Sequence, residues 1–383
     1  MKRLNRLSAK TSKKVCFIFS DFDSSQEYFF VLKSLMQSEY NIEVIILRDL
    51  QSPFIKSIES LGLSFQAINH RLKLVKLISL LKAIIKIKGN YQRIIVSGAE
   101  ASHLLFFVSC LLNVEYVQVR HHSDLHFEIK NYLAICLDYL VGLRAKQVYA
   151  VSNSHKNYLV NREHFSSNKV SVIYGGFHVQ SFLSNRRVSL ESSRLRKGTA
   201  NNEKFTFGVC SRLVEYKGIQ YVISAFNGLV QKGVLAELLI LGRGPFKQEL
   251  ESLIGESFSN HVKFVESVES MPEFFSSLDG FIHVPVREFS ETFGMVYLES
   301  LASGIPCIFT KSGILHDLQN LDEAAIMVPH CDSDAILKAM LLVVSRRNSS
   351  EFESYPMNCL EEFTFENLAN RYKVLINHIN SPD

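Results

Sequence analysis

Glu291 and Glu299 are separated by seven residues within VPVREFSETFGMVYLESLASGIPCI (284–308), where a strand ends at a Pro, a loop follows and a helix opens at Gly294. That spacing sets the first carboxylate in the loop and the second on the helix, so they can reach different parts of one elongated ligand. The backbone N–H groups of Phe293, Gly294 and Met295 are the unsatisfied donors of a helix start, and Gly294 has no side chain to hold an anion away. Arg212 and Lys217, in GVCSRLVEYKGIQYVISAF (208–226), fall in a loop between a strand and a helix. Two fixed cations there suit a diphosphate, Arg as a planar fork and Lys as a point charge. Taken alone, either pair is also what an ordinary solvated surface carries.

Two further groupings are weaker. LLILGRGP (238–245) is a strand followed by a Gly-x-Gly turn, Gly242 and Gly244, which serves phosphate binding or simple turn geometry equally well. VRHHSDLHF (119–127) bunches His121, His122 and His126 after a strand. No nearby cluster of Cys or Asp completes a site, so no metal is expected. The seven cysteines are scattered, mostly in apolar runs, and form no CxxC pair, which reads as buried free thiols in a reducing cytoplasm.

The elements that must position these residues repeat a strand–helix alternation twice. A chain of 383 residues, 47% hydrophobic, is enough for two cores. In the first half, short apolar runs at 15–19, 41–47, 93–98, 115–120, 147–152 and 169–176 alternate with helical patterns near 25–38, 53–61, 71–88, 100–112 and 127–145, and from Ser154. Such runs indicate strands buried on both faces of a parallel sheet. A second series follows, with strands at 205–210, 236–242, 261–266, 280–285 and 306–310. The reading is α/β, with two Rossmann-like doubly wound parallel-sheet domains, at 1–178 and 205–355. Residues 179–204, polar and without periodicity, read as the linker. The tail, 356–383, carries Phe363, Leu368, Tyr372 and Leu375 at helical spacing and is expected to pack back across the domain junction.

The net charge of +4 is mild and unconcentrated, so nucleic acid is not an expected partner. The basic start, MKRLNRLSAKTSKK, precedes an apolar run too short for a signal peptide, and the apolar stretch 104–112 falls short of the roughly 20 residues a membrane span needs. HRLKLVKLISLLKAIIKIKG (70–89) mixes five lysines with Leu and Ile at helical spacing, a pattern of helices that lie on anionic membranes and equally of a Rossmann helix with lysines facing water. The expected location is cytoplasmic, with peripheral contact at the inner face of the cytoplasmic membrane through 70–89.

ETFGMVYLESLASGIP (291–306) resembles, without a gap, the signature of glycosyltransferase family 4, E-x-F-G-x-x-x-L-E-(A/S)-x-A-x-G-x-P, and SRLVEYKG (211–218) matches its G-R-L-x-x-x-K-G except at Ser211. The resemblance covers residues 90–375 and is strongest over 205–310. It implies a GT-B fold, the two domains facing each other across a cleft, with the acceptor bound by the first and the nucleotide sugar by the second. It implies that Glu291 contacts the donor sugar, that Glu299 holds the nucleotide's ribose hydroxyls, and that Arg212 and Lys217 neutralise the leaving nucleoside diphosphate. Gly242 and Gly244 become backbone contacts to the nucleotide, Phe293, Gly294 and Met295 the anion-binding helix start, and Val268 a contact to the base. A cleft histidine is also implied, either His121 or His122, with His122 favoured beside Arg120 and Asp124. VSNSHKNYL (151–159) resembles another family phrase, in which Ser152 reads as a helix N-cap.

The expected activity is that of a retaining hexosyltransferase, moving sugar from a UDP- or GDP-linked donor to a glycan or lipid-linked acceptor without a metal or other cofactor. Bacterial surface polysaccharide or lipopolysaccharide assembly is the expected setting. A nucleotide-sugar epimerase of related fold and a catalytically silent nucleotide-binding subunit are the alternatives.

Overall fold

In the computed structural model, residues 13–20, 26–38, 40–47, 53–121, 131–185, 204–322, 324–346 and 355–378 are described. The apolar runs of the first half become seven strands, β1 (Lys13–Phe19), β2 (Tyr40–Ile46), β3 (Phe65–Ala67), β4 (Arg93–Ser97), β5 (Val117–Arg120), β6 (Gln147–Ala150) and β7 (Val170–Val172). They pair in parallel in the order β3-β2-β1-β4-β5-β6-β7. Between them run α1 (Gln26–Met36), α2 (Pro53–Ser60), α3 (Lys73–Ile87), α4 (Ala99–Leu112), α5 (Tyr132–Arg144) and α6 (Asn153–Asn161). Right-handed crossovers put helices on opposite faces according to the direction in which the chain steps across the sheet. Steps from β3 through β4 and β5 to β6 carry α3, α4 and α5 onto one face, where α3 packs beside α4 and α4 beside α5.

The second half builds six parallel strands, β8 (Phe205–Cys210), β9 (Ala236–Leu241), β10 (Val262–Val265), β11 (Gly280–His283), β12 (Cys307–Phe309) and β13 (Ala325–Met327), in the order β10-β9-β8-β11-β12-β13. A helix at 179–185, α7, precedes them; then come α8 (Ile219–Gln231), α9 (Lys247–Ser252), α10 (Met271–Ser276), α11 (Met295–Ser303), α12 (Ser333–Ser345), α13 (Met357–Leu360) and α14 (Phe365–His378). Residues 179–185 were expected as linker, but Val179, Phe182 and Leu183 are buried, and the Phe182 ring lies 5.4 Å from Phe177 and 5.9 Å from Phe275. Burial on one side overrides the polar composition there. Most of the expected linker, 186–203, lies outside the described residues.

Two compact units result, drawn otherwise than the expected boundaries. One is Met1–Val151, Leu159–Gly176 and Phe365–Asp383; the other is Ser152–Tyr158 and Phe177–Thr364. In the first, α14 covers α1: Phe365 stacks on Phe30 with ring centroids 4.1 Å apart, and Leu368, Tyr372, Leu375 and Ile376 join the core formed by β1, β2 and α1. The core of the second gathers Phe207, Val209, Leu238, Ile240, Ile282 and Ile308 from the strands with Ile223, Phe226, Leu229 and Met340 from α8 and α12. Ser152 belongs to the second unit because its hydroxyl donates to the carbonyl of Thr292 (2.6 Å), while the N–H of Asn153 donates to Asp317 (2.7 Å). Ser152 also accepts from the N–H of His155 (3.0 Å), the N-cap role its position predicts.

Candidate active site

Strand order locates the site in the second unit. Winding proceeds outward from β8 through β9 to β10, then returns to the other side of β8 at β11. The carboxyl ends of β8 and β11 are therefore the topological switch point of this sheet, where an open α/β sheet leaves a crevice for ligand. The loop after β8 carries Arg212 and Lys217; the loop after β11 carries Glu291 and leads into α11. Both motifs found in the sequence thus converge on adjacent strands.

Lys217 and Glu291 are joined directly, the ammonium donating to Oε1, and both side chains are largely buried. His283, the last residue of β11 and 1% exposed, brings Nε2 to 2.8 Å from the same oxygen. Burial by itself would raise the Glu291 pKa, but the Lys217 charge and the His283 hydrogen bond override it and hold the carboxyl at about 2. Burial lowers the His283 pKa against the opposing pull of Glu291. A neutral imidazole facing an ionised carboxylate must carry its proton on Nε2, so His283 donates and Glu291 accepts. Nδ1 of His283 is buried and has no partner among the described residues.

The loop around Glu291 is held from several sides. The Glu291 N–H donates to the Ser312 hydroxyl (3.1 Å), which donates to the Glu288 carbonyl (2.6 Å). The Ile314 N–H donates to the Phe293 carbonyl (2.8 Å). Gly294 adopts φ 82° as the residue capping α11, and no side chain caps that helix start. A Cβ at Gly294 would come within 2.6 Å of the Tyr297 ring, so the position demands glycine on conformation and on space. Tyr297, fully buried, packs edge-on to His283 (4.8 Å between centroids) and donates to the Thr310 carbonyl (3.1 Å). Met295 opens the helix and Phe293 is buried beside it.

Glu299 lies on α11 and acts on the end of β8: burial, then the Glu299 charge, pushes the Cys210 thiol up to about 12. Arg212 is exposed and donates to the Tyr216 hydroxyl (2.6 Å), whose ring also lies beneath Lys217 Nζ at 5.4 Å. Gly218 follows at φ 75°, where a Cβ would sit 1.9 Å from the Val284 carbonyl oxygen; this close approach presses the Lys217 loop against the end of β11. Gly242 and Gly244 turn their Cβ sides toward the Ser211 and Leu213 carbonyls, at 1.9 and 2.1 Å, so both let the loop after β9 seat against the Arg212 loop. Val268 is half-buried in the loop between β10 and α10.

The histidine segment belongs to the first unit. His122, with Asp124 and His126, lies outside the described residues. His121 brings Nε2 to 2.9 Å from the Tyr28 hydroxyl, which donates to Ser97 (2.9 Å). Arg120, expected as a neighbour of His122, is 1% exposed and grips Glu163 with two 2.6 Å bonds. Among the described residues no group of three or more His, Cys, Asp or Glu could hold a metal ion. Sequence reasoning did not find His283, Ser312, Tyr297 or Tyr216. Of these only His283 left a trace, as a lone ionisable residue in the apolar run GFIHVP.

Residues 192–361, which include all the second-unit site residues above, match the family model described as Glycosyl transferases group 1. The capsular polysaccharide biosynthesis glycosyltransferase CapM of Staphylococcus aureus is 24% identical over 286 residues, spanning 71% of this chain and 73% of that protein. An uncharacterized glycosyltransferase of Methanocaldococcus jannaschii, MJ1607, is 28% identical over 250 residues, spanning 62% of each. The crystal structure of Anabaena HepE in complex with UDP and glucose superposes with a TM-score of 0.78 at 17% identity, covering 96% of this chain and 100% of that one. At that identity the likeness speaks for the fold, two parallel-sheet α/β domains of the GT-B kind.

Proposed function

We propose that this chain, whose second unit belongs to the glycosyl transferases group 1, moves a hexose from a nucleoside-diphosphate sugar to an acceptor hydroxyl with retention of configuration. The observation that carries the reading is the Lys217–Glu291–His283 cluster set beside the uncapped start of α11 at the switch point. Glu291, held ionised, cannot supply a proton at neutral pH, so its work is to accept hydrogen bonds from donor-sugar hydroxyls and to stabilise positive charge developing at the anomeric carbon. Departure of the diphosphate is assisted by Arg212, by the N–H groups of Lys217 not engaged by Glu291, and by the backbone N–H groups at Gly294 and Met295. Glu299, just over one turn along α11, takes the ribose hydroxyls; Gly242, Gly244 and Val268 line the nucleotide. No divalent ion is required, because these fixed cations do its work. The histidine role that the family resemblance implies, at the donor sugar or the acceptor, is assigned to His122.

The acceptor is a glycan or a lipid-linked glycan in surface polysaccharide or glycolipid synthesis. Support comes from the names of relatives, CapM and the O-antigen glycosyltransferase WclY of Escherichia coli. The HepE complex with UDP makes UDP the first nucleotide to try.

The test is a thermal-shift screen with UDP, GDP, ADP and their sugars, followed by transfer to acceptor with the product's anomeric configuration read by NMR. A ligand at about 100 times its Kd adds roughly 2.7 kcal/mol of apparent stability. Transfer with retention, undiminished by EDTA, is the expected result. Free sugar released without acceptor would assign an epimerase or hydrolase, and nucleotide binding without turnover a silent subunit.

A further inference from the structure

The layer α3, α4 and α5 is apolar on both sides. Inward-facing Leu80, Ile84, Leu105, Val108 and Val141 are buried, as helices covering a sheet require. Their outward stripes are also apolar: Leu74, Ile78 and Ile85 on α3, Phe107 and Leu111 on α4, Leu133, Leu140 and Leu143 on α5. Leu111 is 69% and Leu133 73% exposed. Among the described residues, sixteen large apolar side chains are exposed, and eleven fall between Leu72 and Leu143, so the exposure is concentrated on one face of one unit. A surface this apolar marks an interaction site.

Charge on the same helices is one-sided. Their only acids are Glu100 and Asp138: Glu100 pairs with buried Lys76 at 2.8 Å, and Asp138 is buried against His103 and Arg120. Lys73, Lys82 and Lys86, with Lys88 just beyond, are exposed and interleave with the leucines and isoleucines of α3. A second copy meeting this face with its own would oppose lysine to lysine. No described helix is long and apolar enough to cross a membrane, so a lipid partner would be met at its surface.

We propose that the outer face of α3, α4 and α5 docks on an anionic phospholipid membrane, the leucines and aromatic side chains entering the headgroup boundary and the α3 lysines meeting lipid phosphates. This widens the contact from 70–89 to three helices, and it stands apart from the donor chemistry of the second unit.

Co-sedimentation of the full chain with vesicles of phosphatidylcholine, with and without phosphatidylglycerol, tests it. Binding is expected to the anionic vesicles only and to weaken with salt. Lys73→Ala/Lys82→Ala/Lys86→Ala should weaken it by roughly a hundredfold, at about fivefold per lysine. Leu111→Ser/Leu133→Ser/Leu140→Ser should weaken it comparably, with circular dichroism unchanged, while Leu235→Ser/Leu253→Ser on the second unit should leave it intact. Three results would overturn the proposal: equal affinity for both vesicle types, wild-type binding by either triple variant, or a dimer in lipid-free sedimentation that the leucine variant dissolves.

Discussion

His283 Nε2 and Glu291 Oε1, 2.8 Å apart, tie the last residue of β11 to the carboxylate eight positions later, so the strand that ends beside the site also fixes the rotamer of its principal acid. With Lys217 on the same oxygen, Glu291 has two hydrogen-bond donors and a carboxyl held at about 2.

A folded pKa held that far below its unfolded value contributes stability that is complete above about pH 4.5 and is lost as pH falls toward 2. The lowered His283 pKa acts in the same direction: the unfolded imidazole takes up a proton first as pH drops below about 6.5, which favours unfolding. Glu291→Gln should therefore be less stable than wild type at pH 7.5, by about 3 kcal/mol for a broken, largely buried pair, and the gap should close in acid. Urea midpoints at several pH values check this; a gap independent of pH would mean the pair contributes no charge-dependent stability. His283→Phe keeps a ring against Tyr297 but removes the donor, so the acid limb of the activity profile should move to higher pH. A uniform loss of activity with an unmoved limb would leave His283 a packing residue.

Arg212 and Lys217 are five residues apart, and the structure separates their roles. Arg212 is exposed and Lys217 is buried against Glu291. Arg212→Ala should change stability by no more than about 0.5 kcal/mol, whereas Lys217→Ala, leaving the buried Glu291 carboxylate without its cation, should cost about 3–5 kcal/mol. Both should reduce the thermal shift produced by nucleotide. A nucleotide response untouched in Arg212→Ala would remove that residue from the diphosphate.

What was readable in the sequence was what is local. Glu291, Gly294 and Glu299 share one strand–loop–helix unit, and the apolar runs before and after them gave that unit its period. The apolar stripe Phe363, Leu368, Tyr372 and Leu375 announced a docked helix, though its seat on α1 depends on contacts hundreds of residues apart. Ser312 could not be found, since its hold on the Glu291 N–H joins loops after different strands and serines are common in loops. Helix 179–185 was hidden by polar neighbours because two phenylalanine contacts, not composition, settle it. Past residue 310 neither β13 nor α12 was assigned from sequence: β13 is only three residues long, and the continuous apolar run MLLVV in α12 blurs its helical period.

Gly218 and Gly233 form a matched pair for separating space from conformation. Both have positive φ, 75° and 83°, yet a Cβ at Gly218 would meet the Val284 carbonyl oxygen at 1.9 Å, while at Gly233 nothing lies within 4 Å. Gly233→Ala should cost only the left-handed penalty, about 1–2 kcal/mol. Gly218→Ala must in addition push the Lys217 loop away from β11, so it should cost more and should blunt the nucleotide response. Equal losses in denaturant titrations would show that the loop yields without cost.

Arg120 sits one residue before His121 yet serves the interior of the first unit. Its guanidinium makes two 2.6 Å bonds to Glu163 and lies 3.6 Å from Asp138, which His103 meets on its other oxygen at 2.9 Å. Removing the cation alone leaves the buried Glu163 and Asp138 carboxylates without it, so Arg120→Met should cost at least about 3 kcal/mol. Replacing both members, Arg120→Met with Glu163→Met, should recover a large part of that loss, because two apolar side chains need no partner where an orphaned carboxylate does. A double-mutant cycle read by chemical denaturation gives the coupling directly. Additive losses would mean that the pair is not coupled and that Arg120 holds the end of β5 by some other contact. Strong coupling would make this pair the anchor of the end of β5 beside His121, and activity of the doubly substituted protein would then report how firmly His121 has to be held.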